Sequence, residues 1–359
     1  MIRICCDYRN GTGCMAENPA DAARCACCGR PLHYAINAYA VGEQVGPYQV
    51  HRRIGQGGFG AVYQVADVRS PDHSYALKVS FDPDAVAALQ REFALLERLR
   101  HDHLPRYIDM FSIDGYGHLV MEFIPGQSLE DVLRVRGAAL PAAQVLGYAI
   151  QLCQVIGDLH SNTPPIIHRD IKPANIRITP DGRIVLVDFG LVKRGGEQTV
   201  QSLRGVGTIQ YAPFEQFGRG TTDERSDQYS LAATLYHLVS GQPPASIVER
   251  ISGDSDALVP PELINSVIAP HVSRALMTAL AIRPAERWPS MSTFGQALLG
   301  AAVEPVAPAA PTPPSSLPWG GKPTQTPETS SLPWSTFGQT TNPPPAEGGL
   351  PWNKLKRDK

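Results

Sequence analysis

The sequence predicts an α+β fold of two lobes, strand-rich on the N-terminal side and helix-rich on the C-terminal side. A small cysteine-rich module precedes the lobes and a proline-rich tail follows them. Two crowding effects and one pattern carry this reading. Six of the seven cysteines lie in the first 28 residues, and 13 of the 33 prolines lie in the last 59. Between them, residues 48–300 carry the apolar periodicity of a folded domain, and 359 residues suffice for two or three domains.

Segments 48–54, 61–68 and 74–80 read as strands, being short, β-branched and aromatic, with Gly and Pro punctuation. Residues 83–100 read as a helix, with Val86, Leu89, Phe93, Leu96 and Leu99 at three- and four-residue spacing and Pro83 suited to the first turn. Residues 118–123 form another strand. After Gly126 the pattern turns helical. Residues 141–159 place Val145, Leu146, Ala149, Ile150, Cys153, Ile156 and Leu159 on one broad face, so Cys153 is plain core. Residues 227–239 form a second buried helix, stopped by Ser240-Gly241 and two prolines. A cleft between two such lobes is a natural ligand site. Residues 1–33 form the module, 34–47 a short connector, and 301–359, rich in Pro, Ser, Thr and Gly, a disordered tail.

A formal net charge of −2, from 32 basic and 34 acidic residues, argues against a nucleic-acid binder. No apolar run approaches the roughly 18 residues of a membrane helix, so no membrane partner is expected. The N-terminus has no secretory character, which predicts a cytoplasmic protein, where clustered cysteines bind metal more often than they form disulfides.

Three motifs carry chemistry. Gly55-Gln56-Gly57-Gly58-Phe59-Gly60 precedes a strand rather than a helix, so a β-hairpin is favoured over a dinucleotide turn. Such a hairpin lets backbone N–H groups lie over phosphates. Lys78 stands between apolar neighbours on the next strand. Glu92 leans toward the apolar face of the following helix, needs a cation there, and has Lys78 available. Third, His168-Arg169-Asp170-Ile171-Lys172-Pro173-Ala174-Asn175 is followed by Asp188-Phe189-Gly190. Phosphoryl transfer needs a carboxylate to orient the incoming hydroxyl, a cation on the transferred group, and a carboxylate and an amide to hold a metal.

With these motifs in order, residues 48–300 resemble the eukaryotic-like serine/threonine protein kinases of bacterial type. The resemblance implies a two-lobed protein kinase fold with ATP in the cleft and serine or threonine of protein substrates as acceptor. It implies that Lys78 pairs with the α- and β-phosphates and with Glu92, that Asp170 is the catalytic base, that Lys172 meets the γ-phosphate, and that Asn175 and Asp188 bind Mg²⁺. Ile54, Val62 and Ala76 would sandwich the adenine. Met121 would be the gatekeeper, and backbone groups of Glu122 and Ile124 the hinge. Arg169 beside Asp170 suggests activation-loop phosphorylation, with Thr199 and Ser202 as candidates, while Thr208 shapes the substrate pocket. Two places depart from the family. Pro213-Phe214-Glu215 stands where the family has Ala-Pro-Glu, with Arg287 the expected buried partner of Glu215. Residues 242–270 are Pro-rich, so the helix after the Asp227 helix is expected to be short.

In the module, Cys25-x-x-Cys28-Gly29 resembles half of a zinc ribbon. Cys14 and Cys6 complete the expected Zn²⁺ site, with Cys5 and Cys27 as spares, although the Cys6-to-Cys14 spacing exceeds the usual one. A redox sensor and reducible disulfides are the competing readings. The tail repeats Leu-Pro-Trp at Trp319, Trp334 and Trp352, suiting multivalent docking to a partner pocket. Set against an active enzyme are a catalytically silent kinase-fold scaffold, disfavoured because every motif residue is present, and a small-molecule kinase.

Overall fold

Residues Gln44 to Glu122 build one antiparallel sheet. In chain order its strands are β4 (Gln44–Val45), β5 (Tyr48–Gly57), β6 (Gly60–Asp67), β7 (Ser70–Ser80), β8 (Tyr107–Ile113) and β9 (Tyr116–Glu122), arranged β4-β5-β6-β7-β9-β8. Ahead of them, β1 (Ile2–Asp7), β2 (Glu17–Pro19) and β3 (Ala35–Ala38) form a separate three-stranded sheet with β1 in the centre. This computed structural model describes residues 1–7, 12–57, 60–80, 86–189, 209–217 and 222–302, without the side chains of Cys6, Asp7 and Ala88. These belong to one unit, Met1–Pro308. A second unit, Ala309–Lys359, with the three Leu-Pro-Trp motifs, lies outside the described residues.

Strand alternation gives the larger sheet two apolar faces. On β7, Ala76 joins the main core, whereas Leu77 and Val79 join a second core behind the sheet. On β9, Leu119 and Met121 face the main core and Val120 faces the second. The back core is closed by Ile4, Ile36 and Ala38 from the small sheet. Residues 34–47 are therefore not the connector the composition suggests. They contain β3 and β4, and the buried Ile36, Ala38 and Val45 stitch the module to the lobe.

Helix α1 (Val86–Leu96) packs on the inner side through Leu89 and Leu96. Beyond the lobe junction come β10 (Gln127–Ser128), α2 (Leu129–Arg136), α3 (Ala142–His160), β11 (Ile176–Ile178) and β12 (Ile184–Leu186), then α4 (Glu224–Ser240), α5 (Ile247–Ser252), α6 (Pro261–Ile264), α7 (Pro270–Ala279) and α8 (Met291–Leu298). Helix α4 is buried on nearly every side although it carries Ser230 and Thr234. Their hydroxyls donate to the carbonyls four residues back, at 3.2 and 2.9 Å, so the polar groups are satisfied inside the helix. Asp223 caps its start, and Gly241, in the left-handed region at φ 81°, ends it. The proline-rich 242–270 stretch holds only the short α5 and α6. Strand β8 and helix α2 went unread in the sequence, the first lacking clean alternation and the second being short.

Candidate active site

The glycine segment is a β-hairpin. Gly55 pairs with Val62 and Gly57 with Gly60 across β5 and β6. Gly58 and Phe59, which follow Gly57 in the chain, lie outside the described residues. A side chain on Gly60 would put its Cβ 2.4 Å from the Val79 carbonyl, so strand packing alone demands glycine there. Across β6 and β7, Val62 pairs with Lys78. Across β7 and β9, Ala76 pairs with Met121. Val62, Ala76 and Met121 thus share the face toward the main core, while Ile54 sits partly exposed beside the glycines. Past Glu122, the Ile124 carbonyl accepts a hydrogen bond from Arg177 Nε at 2.9 Å. Arg177, two residues after Asn175, clamps the segment after Glu122, a role no sequence signal marked.

The catalytic loop hangs from one carboxylate. Asp227, buried in the first turns of α4, accepts the backbone N–H of His168 at 2.8 Å and that of Arg169 at 2.7 Å. His160 Nε2 lies 2.9 Å from its Oδ2. These bonds hold Arg169 in the left-handed region at φ 66°, a conformation that costs a non-glycine residue energy and persists only under such constraint. The loop then presents Asp170 to its neighbours. Lys172 Nζ donates to both Asp170 carboxylate oxygens, at 3.2 and 3.0 Å. Asn175 Nδ2 donates to the Asp170 carbonyl at 2.8 Å and to Oδ2 at 3.0 Å. The Asn175 carbonyl accepts from Val187 N–H at 2.8 Å, pinning the asparagine beside the strand end that carries Asp188. Phe189 is buried against the His168 ring, centroids 4.4 Å apart.

Lys78 reaches this cluster, but its partner differs from the sequence expectation. Its ammonium hydrogen-bonds Asp188 rather than Glu92. Among the described residues neither Glu92 carboxylate oxygen has a hydrogen-bond partner. The reason is solvation. Asp188 is 40% exposed and keeps contact with water, whereas Glu92 is 2% exposed and burial pushes its carboxyl up to about 7. The single cation goes to the better anion. Burial alone would depress Lys78, but Asp188 and then Glu92 raise it, so it stays charged.

At the far end of the activation segment, Glu215 meets Arg287 at 2.7 Å. Phe214, at the departure from the family triplet, is half exposed. Thr199, Ser202 and Thr208 lie outside the described residues.

A second cluster sits in the module. The Sγ atoms of Cys5, Cys14, Cys25 and Cys28 all lie within 4.8 Å of one another. Cys5–Cys28 and Cys14–Cys25 are each 3.5 Å apart. Tetrahedral zinc thiolates, with bonds of about 2.3 Å, place their sulfurs roughly 3.8 Å apart. Among the described residues Cys5, one of the expected spares, is the fourth thiol of this cluster, and the side chain of Cys6, the expected fourth ligand, lies outside the described residues. On β1, Ile4 belongs to the lobe core, so alternation turns its neighbour Cys5 to the opposite face. Hydrogen bonds from the Cys28 backbone, opposed by burial and reinforced by Cys27, bring the Cys25 thiol down to about 6, favouring the thiolate a metal needs.

Comparison with known proteins places this geometry. The family model for the protein kinase domain matches residues 48–274. The serine/threonine-protein kinase PknD of Mycobacterium tuberculosis is 33% identical over 261 residues, 70% of this chain and 39% of PknD. PknE of Mycobacterium bovis is 31% identical over 254 residues, 68% of this chain and 41% of PknE. The chain therefore spans about two fifths of the length of these relatives. The crystal structure of the PknI kinase domain of Mycobacterium tuberculosis matches with a TM-score of 0.59 at 29% identity, over 73% of this chain and 99% of that one. The matched stretch contains the hairpin, the lysine strand, the Asp227-anchored loop and the Asp188 turn, and the chain belongs to the protein kinase family.

Proposed function

We propose that this chain is an ATP-dependent serine/threonine protein kinase that transfers the γ-phosphoryl group of ATP to hydroxyl groups of protein substrates in intracellular signalling. One observation carries it: Lys172 and Asn175 bond to Asp170, Lys78 bonds to Asp188, the Val187 N–H to Asn175 carbonyl bond joins the two sets, and the buried Glu92 carboxylate has no hydrogen-bond partner among the described residues. The family implies ATP and Mg²⁺, and these residues fit them. Asp170 and Asp188 each already hold an ammonium group, and the Glu92 carboxylate is poised to take over Lys78. Asp188 and Asn175 would hold Mg²⁺, which supplies charge neutralisation at the phosphates. Asp170 would orient the substrate hydroxyl and accept its proton, and Lys172 would stabilise the transferred group. Lys78, braced by Glu92, would fix the α- and β-phosphates. Gly55 through Gly60 would cover the phosphates, with Ile54, Val62 and Ala76 around the adenine and Met121, Glu122 and Ile124 at its edge. Lys172-Pro173 and the serine/threonine kinase relatives support serine or threonine as acceptor. The test is Mg²⁺/ATP autophosphorylation of the wild type against Asp170→Ala and Lys78→Met. Equal phosphate incorporation in all three rejects an enzyme in favour of a silent scaffold.

We further assign structural Zn²⁺ to Cys5, Cys14, Cys25 and Cys28, supported by the sulfur spacing and by the small apolar content beside it, Cys5, Cys25 and Leu32 being the buried cluster there among the described residues. Metal analysis of reduced, full-length protein should give one zinc per chain, and none would end the assignment. The Leu-Pro-Trp tail is proposed as a docking element for a protein partner and the cytoplasm as the compartment. Capture of a partner by the wild-type chain and not by one with Trp319, Trp334 and Trp352 changed to Ala tests the first.

A further inference from the structure

Strand β1 is a wall between two cores. Ile4 is buried in the core behind the kinase sheet, and Cys5, the next residue, is buried among the metal-site thiols. Among the described residues the thiol side buries only Cys5, Cys25 and Leu32, with three alanines packed against them, so beyond the pairing of β1 with β2 and β3 a thiol-bound metal would be the main cross-link on that face.

The other face of β1 reaches the lysine strand. Ile4, Ile36 and Ala38 share one core with Leu77 and Val79, the two residues that flank Lys78. Leu77 and Val79 point backward because Lys78 points forward into the cleft. Any shift in the backing layer is therefore delivered to the residues on either side of the phosphate-binding lysine. Immediately after β3, Tyr39 adds a polar lock. Its hydroxyl lies 2.8 Å from Nε2 of His118, which is fully buried on β9 opposite Val79. Nδ1 of His118 faces the Tyr116 carbonyl at 2.9 Å and so carries the hydrogen, leaving Nε2 to accept from Tyr39. The Tyr39 N–H in turn donates to the Tyr63 hydroxyl on β6 at 3.1 Å. One tyrosine from the module thus ties two strands of the nucleotide-binding sheet.

We propose that the thiol-bound metal and Tyr39 are positioning elements of the phosphoryl-transfer machinery: the metal fixes β1, and β1 with Tyr39 fixes the back of the strand that presents Lys78. This rests on the kinase and zinc readings above. The prediction differs from that for a separable recognition module, whose metal could be removed without consequence for the cleft.

The experiment uses the full-length chain. Zinc is removed with a zinc-selective chelator and followed with a colorimetric zinc indicator. Kinetics are then measured with excess Mg²⁺, and the affinity for the fluorescent nucleotide mant-ATP is measured in parallel. Depletion should raise KM for ATP and Kd for mant-ATP about fivefold or more, and added zinc should restore both. Simple loss of folded protein would lower kcat at unchanged KM and is thereby distinguished. Tyr39→Phe, which deletes one oxygen and leaves the four cysteines intact, should keep one zinc per chain and native circular dichroism while raising both constants about threefold. Unchanged nucleotide affinity in the depleted chain, or in Tyr39→Phe, overturns the proposal. If the untreated chain holds no zinc or transfers no phosphate, the inference falls with the reading beneath it. The metal analysis and the undepleted assay show which of the two failed.

Discussion

The Arg287 guanidinium grips Glu215 with two hydrogen bonds, 2.7 Å from Nη1 to Oε1 and 3.1 Å from Nη2 to Oε2. Its remaining donors go to the carbonyls of Arg225, Ala281 and Ile282, and it lies 5.0 Å over the Tyr229 ring. A fully buried guanidinium tolerates its site only because every face is answered. Arg287→Ala should therefore cost about 3–5 kcal/mol in urea unfolding, by stranding the Glu215 carboxylate. Arg287→Lys should recover little, because an ammonium cannot reproduce the fork. Arg283→Ala, which removes only an exposed contact to Glu286, should change stability by less than about 0.5 kcal/mol. Equal losses at positions 283 and 287 would refute this account.

Glu92 gives the protein a pH dependence of unusual sign. Its carboxyl is raised from 4.5 to about 7 by burial, so between those values the folded chain holds a proton that the unfolded chain has released. Stability from this residue is full below about 4.5 and is lost as pH rises toward 7. Comparing melting temperatures at pH 5 and pH 8, Glu92→Gln, which stays neutral throughout, should lose less than the wild type. A wild-type drop no larger than that of the variant would contradict the assignment.

Asp227 supplies two acceptor oxygens to two backbone donors and a histidine. Asn at this position keeps one oxygen and turns an amide donor toward a donor. Asp227→Asn should destabilise by about 1–3 kcal/mol and lower kcat by more than tenfold through the released catalytic loop, as read by unfolding and by phosphate incorporation. Retained kcat would mean that the loop does not depend on this anchor.

Gly126 takes φ +100°, and a Cβ there would stand 1.9 Å from the Ile178 carbonyl oxygen, a backbone atom that cannot step aside. Both the conformation and the space exclude alanine. Gly126→Ala should lower stability by at least about 2 kcal/mol, whereas Gly147→Ala, on a helix with open space, should be neutral or slightly stabilising. Thermal denaturation of the two variants side by side decides it.

Residues whose chemistry dictates their identity were legible in the sequence. Asp170, Lys172, Asn175 and Asp188 could be read together because phosphoryl transfer calls for carboxylates, a cation and an amide in close order, and the pairing of Glu215 with Arg287 was legible through the family resemblance. Choices between similar candidates were not legible. Whether Lys78 meets Asp188 or Glu92 depends on which carboxylate keeps its water. That Cys5 joins the thiols follows from the face of β1, which the burial of Ile4 on the opposite side reveals. Strands β3 and β4 were hidden because their few apolar residues become meaningful only against partners far along the chain.

The backing layer also bears on where this kinase-family domain begins and ends as an object that can be handled. The stretch recognisable by descent runs from residue 48 to 274. Cut there, it would lose Ile4, Ile36, Ala38 and Tyr39 from one side and Arg287 from the other. Leu77, Val79 and Val120 would meet water as one greasy patch, and Glu215 would be left without its cation. Ancestry and self-sufficiency draw different borders in this molecule. Transplanting the catalytic cassette, or engineering chimaeras from it, has to follow the second.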